Sequence, residues 1–448
     1  MEKPTTYAIV GLGGRSRIYL EAIGKTYSAT SRLVALCDSN EGRLKLAADL
    51  PYVAAHSPRL YSDSDFERMI AEAKPDTVIV TCQDSFHDTY ICRAMELGCD
   101  VITEKPMTID AGRAQRILDT QKRTGRNVRV TFNYRYSPPR TQVKDLLMSG
   151  AIGDVLSVDF QWMLDTYHGA DYFRRWHRNK RNSGGLLVHK STHHFDLVNW
   201  WLSAMPKEVV ATGQRRFATP ETAKRLGLAQ PGPRCTGCAE SNACPFYLDL
   251  SANEELNALY LMQESYDGYH RDQCIFSPDM DIEDSMQALV NYDTGVTLKY
   301  SLNAFCSWEG YAVQLNGTRG RLEHKCEETV YINGDGTVPG ALKEEGTHIR
   351  IYPTRAPAYE VPVWTGEGGH GGGDDLMLRD LFSPQEDPYL RAADHRSGAA
   401  SILCGIAANR SIAEGGWVKI DDLIHGLDRP DYPCMPSASM PFTLPLRC

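Results

Sequence analysis

The chain has 448 residues, 42% of them hydrophobic and 23% charged, with 57 acidic against 48 basic side chains and a net charge of −9. That length supports two or three domains around a sizeable core, and the acidic balance repels phosphate backbones, which excludes nucleic-acid binding as the main task. No apolar run of 18 or more residues occurs, so no membrane span is expected, and the polar stretch Met1–Tyr7 lacks the pattern of a signal peptide. The thirteen cysteines are too sparse for a disulfide scaffold. Most stand alone in apolar stretches (Cys37, Cys82, Cys92, Cys404), as in a reducing compartment. A cytoplasmic protein is expected.

Over the first 130 residues, short runs rich in Val, Ile and Thr predict strands at Tyr7–Val10, Leu33–Cys37, Thr77–Thr81, Val101–Thr103 and Val128–Thr131. Helical spacing falls between them, at Asp63–Ala73, His87–Leu97 and Ile109–Thr124. This alternation predicts an α/β, doubly wound parallel sheet over residues 1–135. After Pro138-Pro139 the pattern changes to a helix at Thr141–Ser149, a strand at Asp154–Leu164 and an aromatic and basic stretch at Tyr167–Arg181. A long helix is expected at Leu186–Leu202. Alternating strands follow at Met286–Tyr292, Val296–Asn303, Tyr311–Asn316 and Arg321–His324, then a last helix at Ala392–Glu414. Residues 136–430 therefore read as an α+β domain with a large, mostly antiparallel sheet, interrupted by a Cys- and Pro-rich insertion at 230–275. Residues 431–448 read as an extended tail.

Gly11-Leu12-Gly13-Gly14-Arg15-Ser16 follows the first strand and opens a helix. Gly11 permits the tight turn, Gly13 lets the backbone approach a pyrophosphate, and the helix N-terminus offers free N–H donors. Ser16 takes the place of the third glycine. Asp38, at the end of the second strand, can accept from both ribose hydroxyls and would repel a 2′-phosphate. NAD is the expected cofactor, with Arg15 and Arg43 the nearby cations. Glu104-Lys105-Pro106 ends the strand Val101–Thr103, where an open parallel sheet presents its ligand crevice, so Lys105 is expected to face the nicotinamide.

Together these segments resemble the glucose–fructose oxidoreductase / inositol dehydrogenase (Gfo/Idh/MocA) family. The resemblance extends through Thr81-Cys82-Gln83-Asp84-Ser85-Phe86-His87, Phe132-Asn133-Tyr134-Arg135-Tyr136 and Gly184-Gly185-Leu186-Leu187, with His193 and Asp196 beyond them. It ends in Asn316–Gly320 and His370–Asp374. It implies a Rossmann domain, an α/β substrate domain whose open sheet supports a homodimer or homotetramer, and hydride transfer between NAD(P) and a sugar or polyol. It places Thr81, Gln83, His87, Glu104, Asn133 and Trp176 at the cofactor beside Gly11, Gly13, Gly14, Arg15, Ser16 and Asp38. Arg135, Tyr136, Tyr167 and His194 are expected at the substrate. Lys105 and His193 take the family's catalytic positions. The family has Asp four residues before that histidine, whereas this chain has His189.

His189, His193, Asp196 and Trp200 are spaced to share one helical face. A neutral His193 can take the hydroxyl proton while Lys105 stabilises the developing alkoxide. His189 and His193 could instead chelate a divalent ion, with Asp196, another nearby carboxylate or the sugar completing the shell. The cations Arg174, Arg175, Arg178, Lys180 and Arg181 form either a solvated loop or a contact for an anionic group. In the insertion, Cys235, Cys238, Cys244 and Cys274 could hold a structural zinc, could hold an iron–sulfur cluster, or could be unliganded thiols. Three activities are compatible with these residues: NAD-dependent oxidoreduction of a carbohydrate, NAD-dependent glycoside cleavage by transient oxidation and elimination, and non-catalytic sugar sensing.

Overall fold

The computed structural model describes residues 3–329, 338 and 340–436. In its first part lie β1 (Thr5–Val10), β2 (Ser31–Cys37), β3 (Arg59–Tyr61), β4 (Thr77–Val80), β5 (Asp100–Thr103) and β6 (Val128–Val130). All neighbouring pairs among them are parallel, in the order β6-β5-β4-β1-β2-β3. Helices cover both faces, which is why β1 and β4 are buried apolar runs without alternation. β3 escaped the sequence reading because three residues carry almost no pattern.

The second sheet contains β7 (Val155–Asp165), β8 (Pro206–Gln214), β9 (Ser285–Tyr292), β10 (Thr297–Cys306), β11 (Glu309–Gly317), β12 (Gly320–Glu328), β13 (His348–Pro353) and β14 (Tyr359–Val361). With β16 (Val418–Lys419) it has nine strands, ordered β14-β13-β12-β11-β7-β10-β9-β8-β16, and only the β7–β10 pair is parallel. Alternate residues of β9 and β12 are buried, so one face of this sheet meets the core. The helix His395–Glu414 and the segment Leu186–Leu202 supply the apolar layer there.

Two local features differ from the expected pattern. The helix expected over Leu186–Leu202 divides into Leu186–His189 and Ser191–Leu202, with Lys190 between them. The stretch after β7 is a helix, Thr166–Arg174, whose N-terminus is capped by the Asp165 carboxylate accepting from the Tyr167 and His168 amides.

The chain also returns to the first domain, a path that a boundary at residue 135 misses. The strand β15 (Ala393–Asp394) pairs antiparallel with β6, and Phe382 packs on Tyr7 and Tyr27. Of the expected tail, Pro433 accepts a hydrogen bond from Ser203. Residues 437–448 lie outside the described residues.

Candidate active site

The nucleotide loop begins where β1 ends. Gly11 has φ +87, and a Cβ there would run into the Cys82 backbone after β4, so only glycine closes this turn. The Thr81 hydroxyl donates to the Gly11 carbonyl at 2.5 Å, pinning the two crossing loops. Ser16 donates to the Gly13 carbonyl at 2.7 Å, so its side chain braces the loop instead of leaving space as glycine would. Asp38 is buried at the end of β2, accepting from the Leu12 amide at 2.5 Å and the Asn40 amide at 2.7 Å.

Both neighbouring cations are already paired. Arg15 meets Glu104 at 2.7 Å and Asp374 at 3.0 Å. Arg43 meets Asp267 at 2.5 Å and Asp38 at 3.5 Å. Asn133 donates to Asp374 at 2.8 Å, while its buried Oδ1 has no hydrogen-bond partner. The glycine cradle, the acid beyond β2 and this orphaned acceptor fit a dinucleotide.

Three residues expected at the cofactor also make contacts within the protein. The His87 ring bridges the Pro106 and Cys82 carbonyls at 2.9 and 3.1 Å, locking the Lys105 turn to the loop after β4. Gln83 donates to Ser85 at 2.7 Å. Trp176 stacks on His177 with ring centroids 3.7 Å apart and presents its edge to His189.

Lys105 sits at the carboxyl end of β5. Burial pushes its ammonium down to about 8, against the opposing pull of Asp84 and Glu104. Asp84 comes from the loop after β4, and its carboxylate is 2.5 Å from His189 Nδ1. Thus the carboxylate missing from position 189 re-enters the centre from another loop. Burial holds Asp84 well above the usual carboxylate range, with the charges of Lys105 and Arg175 opposing it. Burial, reinforced by Lys105, holds both His189 and His193 well below the usual histidine range, so both rings are neutral near pH 7.

His193 stacks on Tyr134 at 4.2 Å, and its buried Nδ1 has no hydrogen-bond partner. Lys190, whose ammonium lies over the Trp162 ring, donates to the Tyr134 hydroxyl at 3.2 Å. His177 lies 4.2 Å from the His189 ring. A carboxylate, two neutral imidazoles and a lysine at a strand's carboxyl end can move a proton and stabilise an alkoxide.

Asp84, Tyr134, His177 and Lys190 had no assigned role in the sequence reading. Asp84 and Tyr134 do lie in the two loop motifs that follow β4 and β6, which was the available signal.

The residues expected at the substrate have the following surroundings. Arg135 is bonded to Asp196 through two contacts of 2.7 and 2.6 Å, with both side chains 1% exposed. That buried pair ties the loop after β6 to the helix Ser191–Leu202 and leaves Arg135 no free face. Tyr136 is buried and donates to Asp380 at 2.6 Å. His194 is stacked on Trp162 and bonded to Tyr300 at 2.7 Å, inside the sheet–helix core. Tyr167 is 50% exposed on the helix Thr166–Arg174. The basic stretch is largely paired rather than solvated: Arg175 meets Asp171, Arg178 meets Asp279 and Lys180 meets Glu283.

The metal expectations gain no support. Among the described residues no group of three or more His, Cys, Asp or Glu side chains could hold a metal ion. Asp84 occupies His189, Arg135 occupies Asp196, and the His193 ring lies flat on Tyr134, so the helix chelate does not form. In the insertion the sulfurs of Cys235, Cys238 and Cys274 accept from the Leu248, Gly232 and Phe276 amides at 3.4, 3.3 and 3.4 Å. With Cys244 they are free cysteines.

A Rossmann sheet joined to a large antiparallel sheet, with lysine and histidine at the crevice, defines a nucleotide-dependent oxidoreductase. Residues 5–132 match the NAD-binding Rossmann fold, and residues 144–420 the C-terminal alpha/beta domain, of the GFO_IDH_MocA oxidoreductase family. The chain belongs to that family. It is 37% identical over 415 residues to the Bacillus subtilis oxidoreductase YteT, covering 90% of this chain and 95% of that protein. It is 28% identical over 232 residues to inositol 2-dehydrogenase 2 of Saccharopolyspora erythraea, covering 50% of this chain and 58% of the relative. The fold is shared with the WlbA dehydrogenase of Bordetella pertussis, solved with NADH and UDP-GlcNAcA. That structure has a TM-score of 0.62 at 17% identity, covering 93% and 99% of the two chains. Among the described residues no helix is long and apolar enough to cross a membrane.

Proposed function

We propose that this oxidoreductase transfers hydride between NAD and a hydroxyl-bearing carbon of a sugar or polyol. The observation that carries the reading is the placing of Lys105, with Asp84 and His189 beside it and His193 within reach of its charge, at the carboxyl end of β5. Bound NAD supplies the hydride acceptor. Lys105 donates a hydrogen bond to the reacting oxygen and stabilises negative charge there. His193, already neutral, accepts the hydroxyl proton. Asp84 returns a carboxyl group to the centre: it favours the charged form of Lys105 and, by accepting a hydrogen bond from the Nδ1–H of His189, fixes that ring's tautomer.

The preference for NAD rests on Asp38, because Arg15 and Arg43 are both neutralised by carboxylates and neither is free to receive a 2′-phosphate. The relatedness to inositol dehydrogenases supports a polyhydroxylated substrate. Incubation with NAD or NADP and a panel of polyols and sugars, followed by nicotinamide absorbance, tests the proposal. NAD reduction by at least one member is expected. Equal or better use of NADP would overturn the role given to Asp38.

A second reading, glycoside cleavage through transient oxidation, is favoured by one observation: the Tyr260 hydroxyl, from the insertion, accepts from the Gly14 amide at 3.2 Å. A cofactor covered in this way suits a cycle in which the hydride returns to the same sugar. Aryl glycosides cleaved without net NADH would establish it.

A further inference from the structure

The part of the insertion from Leu250 to Arg271 leaves the second domain and lies on the nucleotide loop. Its own fold is anchored by buried Leu250 and Leu259 and by the Asn253 side chain, which caps the helix Glu254–Leu259. Tyr260, the residue after that helix, reaches the Gly14 amide, so a side chain 246 positions away meets a backbone N–H of the phosphate-binding loop.

A second contact lies at the ribose end. Asn40 donates to the Gln263 carbonyl at 3.0 Å, and Arg43 pairs with Asp267. A Cβ at Gly42 would run into the Gln263 amide, so the arm rests directly on the start of the helix Glu41–Ala48. On its other side the arm is tied to the substrate domain. Arg271 pairs with Asp171 at 2.5 Å, its guanidinium 5.5 Å from the centre of the Tyr260 ring.

We infer that this arm is a second wall of the dinucleotide site, with Tyr260 a pyrophosphate-binding residue and the arm a clasp that retains the cofactor between turnovers. The chemistry follows from the contact. The Tyr260 oxygen accepts from Gly14, which leaves the phenolic hydrogen to donate to a phosphate oxygen. The arm spans from the Asp38–Arg43 end of the site to the glycine loop, so a bound dinucleotide lies beneath it and leaves only when it lifts. The inference rests on the NAD reading above and deepens it, since a retained cofactor must be reset on the enzyme by its own substrate pair.

The test is the release of NADH from the full-length protein, followed by nicotinamide fluorescence after a chase with excess NAD. Tyr260→Phe and Asp267→Asn are compared with the unmodified chain, and thermal melting is checked for each. Release from Tyr260→Phe is expected to be about tenfold faster, the effect of losing one hydrogen bond to a charged group. Asp267→Asn should move in the same direction. Amide exchange across Glu254–Asp267 should slow when NAD binds. Equal release from all three proteins, with arm exchange indifferent to NAD, would overturn the clasp while leaving the NAD reading intact. A chain that binds neither NAD nor NADH would defeat both.

Discussion

Replacing Asp84 with asparagine keeps the size of the side chain and removes its ionisable carboxyl. In the intact centre, burial pushes Lys105 down to about 8 and the Asp84 carboxylate opposes that push. A neighbouring opposite charge typically moves a pKa by about 1–3 units, and Asp84 is the largest influence opposing the burial of Lys105, so its removal should lower Lys105 by about one unit or more. The sign is fixed: the protonated lysine is the active donor, so a lower pKa moves the alkaline limb of the rate profile toward lower pH. At a pH near the original midpoint, the charged fraction would fall from about one half to roughly one-tenth or less. His189 also exchanges an acceptor-only partner at Nδ1 for an amide that can donate or accept, so its tautomer is no longer fixed. Together these losses should lower the hydride-transfer rate by about 10² at that pH, within the range for one acid–base element. Single-turnover reduction of bound NAD, measured from acid to alkaline pH, gives both the limb and the rate. An Asp84→Asn variant with an unmoved alkaline limb and a rate within about twofold of the parent would refute the reasoning.

Three further substitutions probe other parts. Asp38→Ala should weaken NAD binding and narrow the preference over NADP, read by titration with each nucleotide. Gly11→Ala, forced to φ +87 against the Cys82 backbone, should abolish nucleotide binding and lower the melting temperature by more than an exposed Gly→Ala change does. Arg135→Met leaves the Asp196 carboxylate buried and unpaired, so chemical denaturation should show a loss of about 3–5 kcal/mol; a loss under about 1 kcal/mol would contradict its structural role.

How much of this was legible beforehand depended on the range of the interactions. The parallel sheet could be read because β1, β2, β4 and β5 carry buried apolar runs bounded by turn residues and β6 buries Val128 and Val130. The glycine loop and Lys105 could be read because local strand–turn context defines them. Asp84 belonged to a motif already in view, yet its partner His189 lies 105 residues away, and no periodicity signals such a pairing. Arg135 looked like a substrate ligand from its motif; only the tertiary structure shows Asp196 occupying it. The cysteine spacing suggested a metal, but among the described residues no group of three or more such side chains could hold one. The arm that carries Tyr260 gave no signal, because short helices within a polar insertion reveal neither their facing surface nor their partner.

The central claim is that Lys105 acts on the reacting oxygen while the dinucleotide is held elsewhere. Its most direct test is single-turnover reduction of NAD by a productive polyol or sugar in Lys105→Ala, with NAD affinity measured on the same sample. The expected result is nearly unchanged NAD binding with hydride transfer slowed by about 10² or more. Transfer at the parent rate in Lys105→Ala would contradict the account.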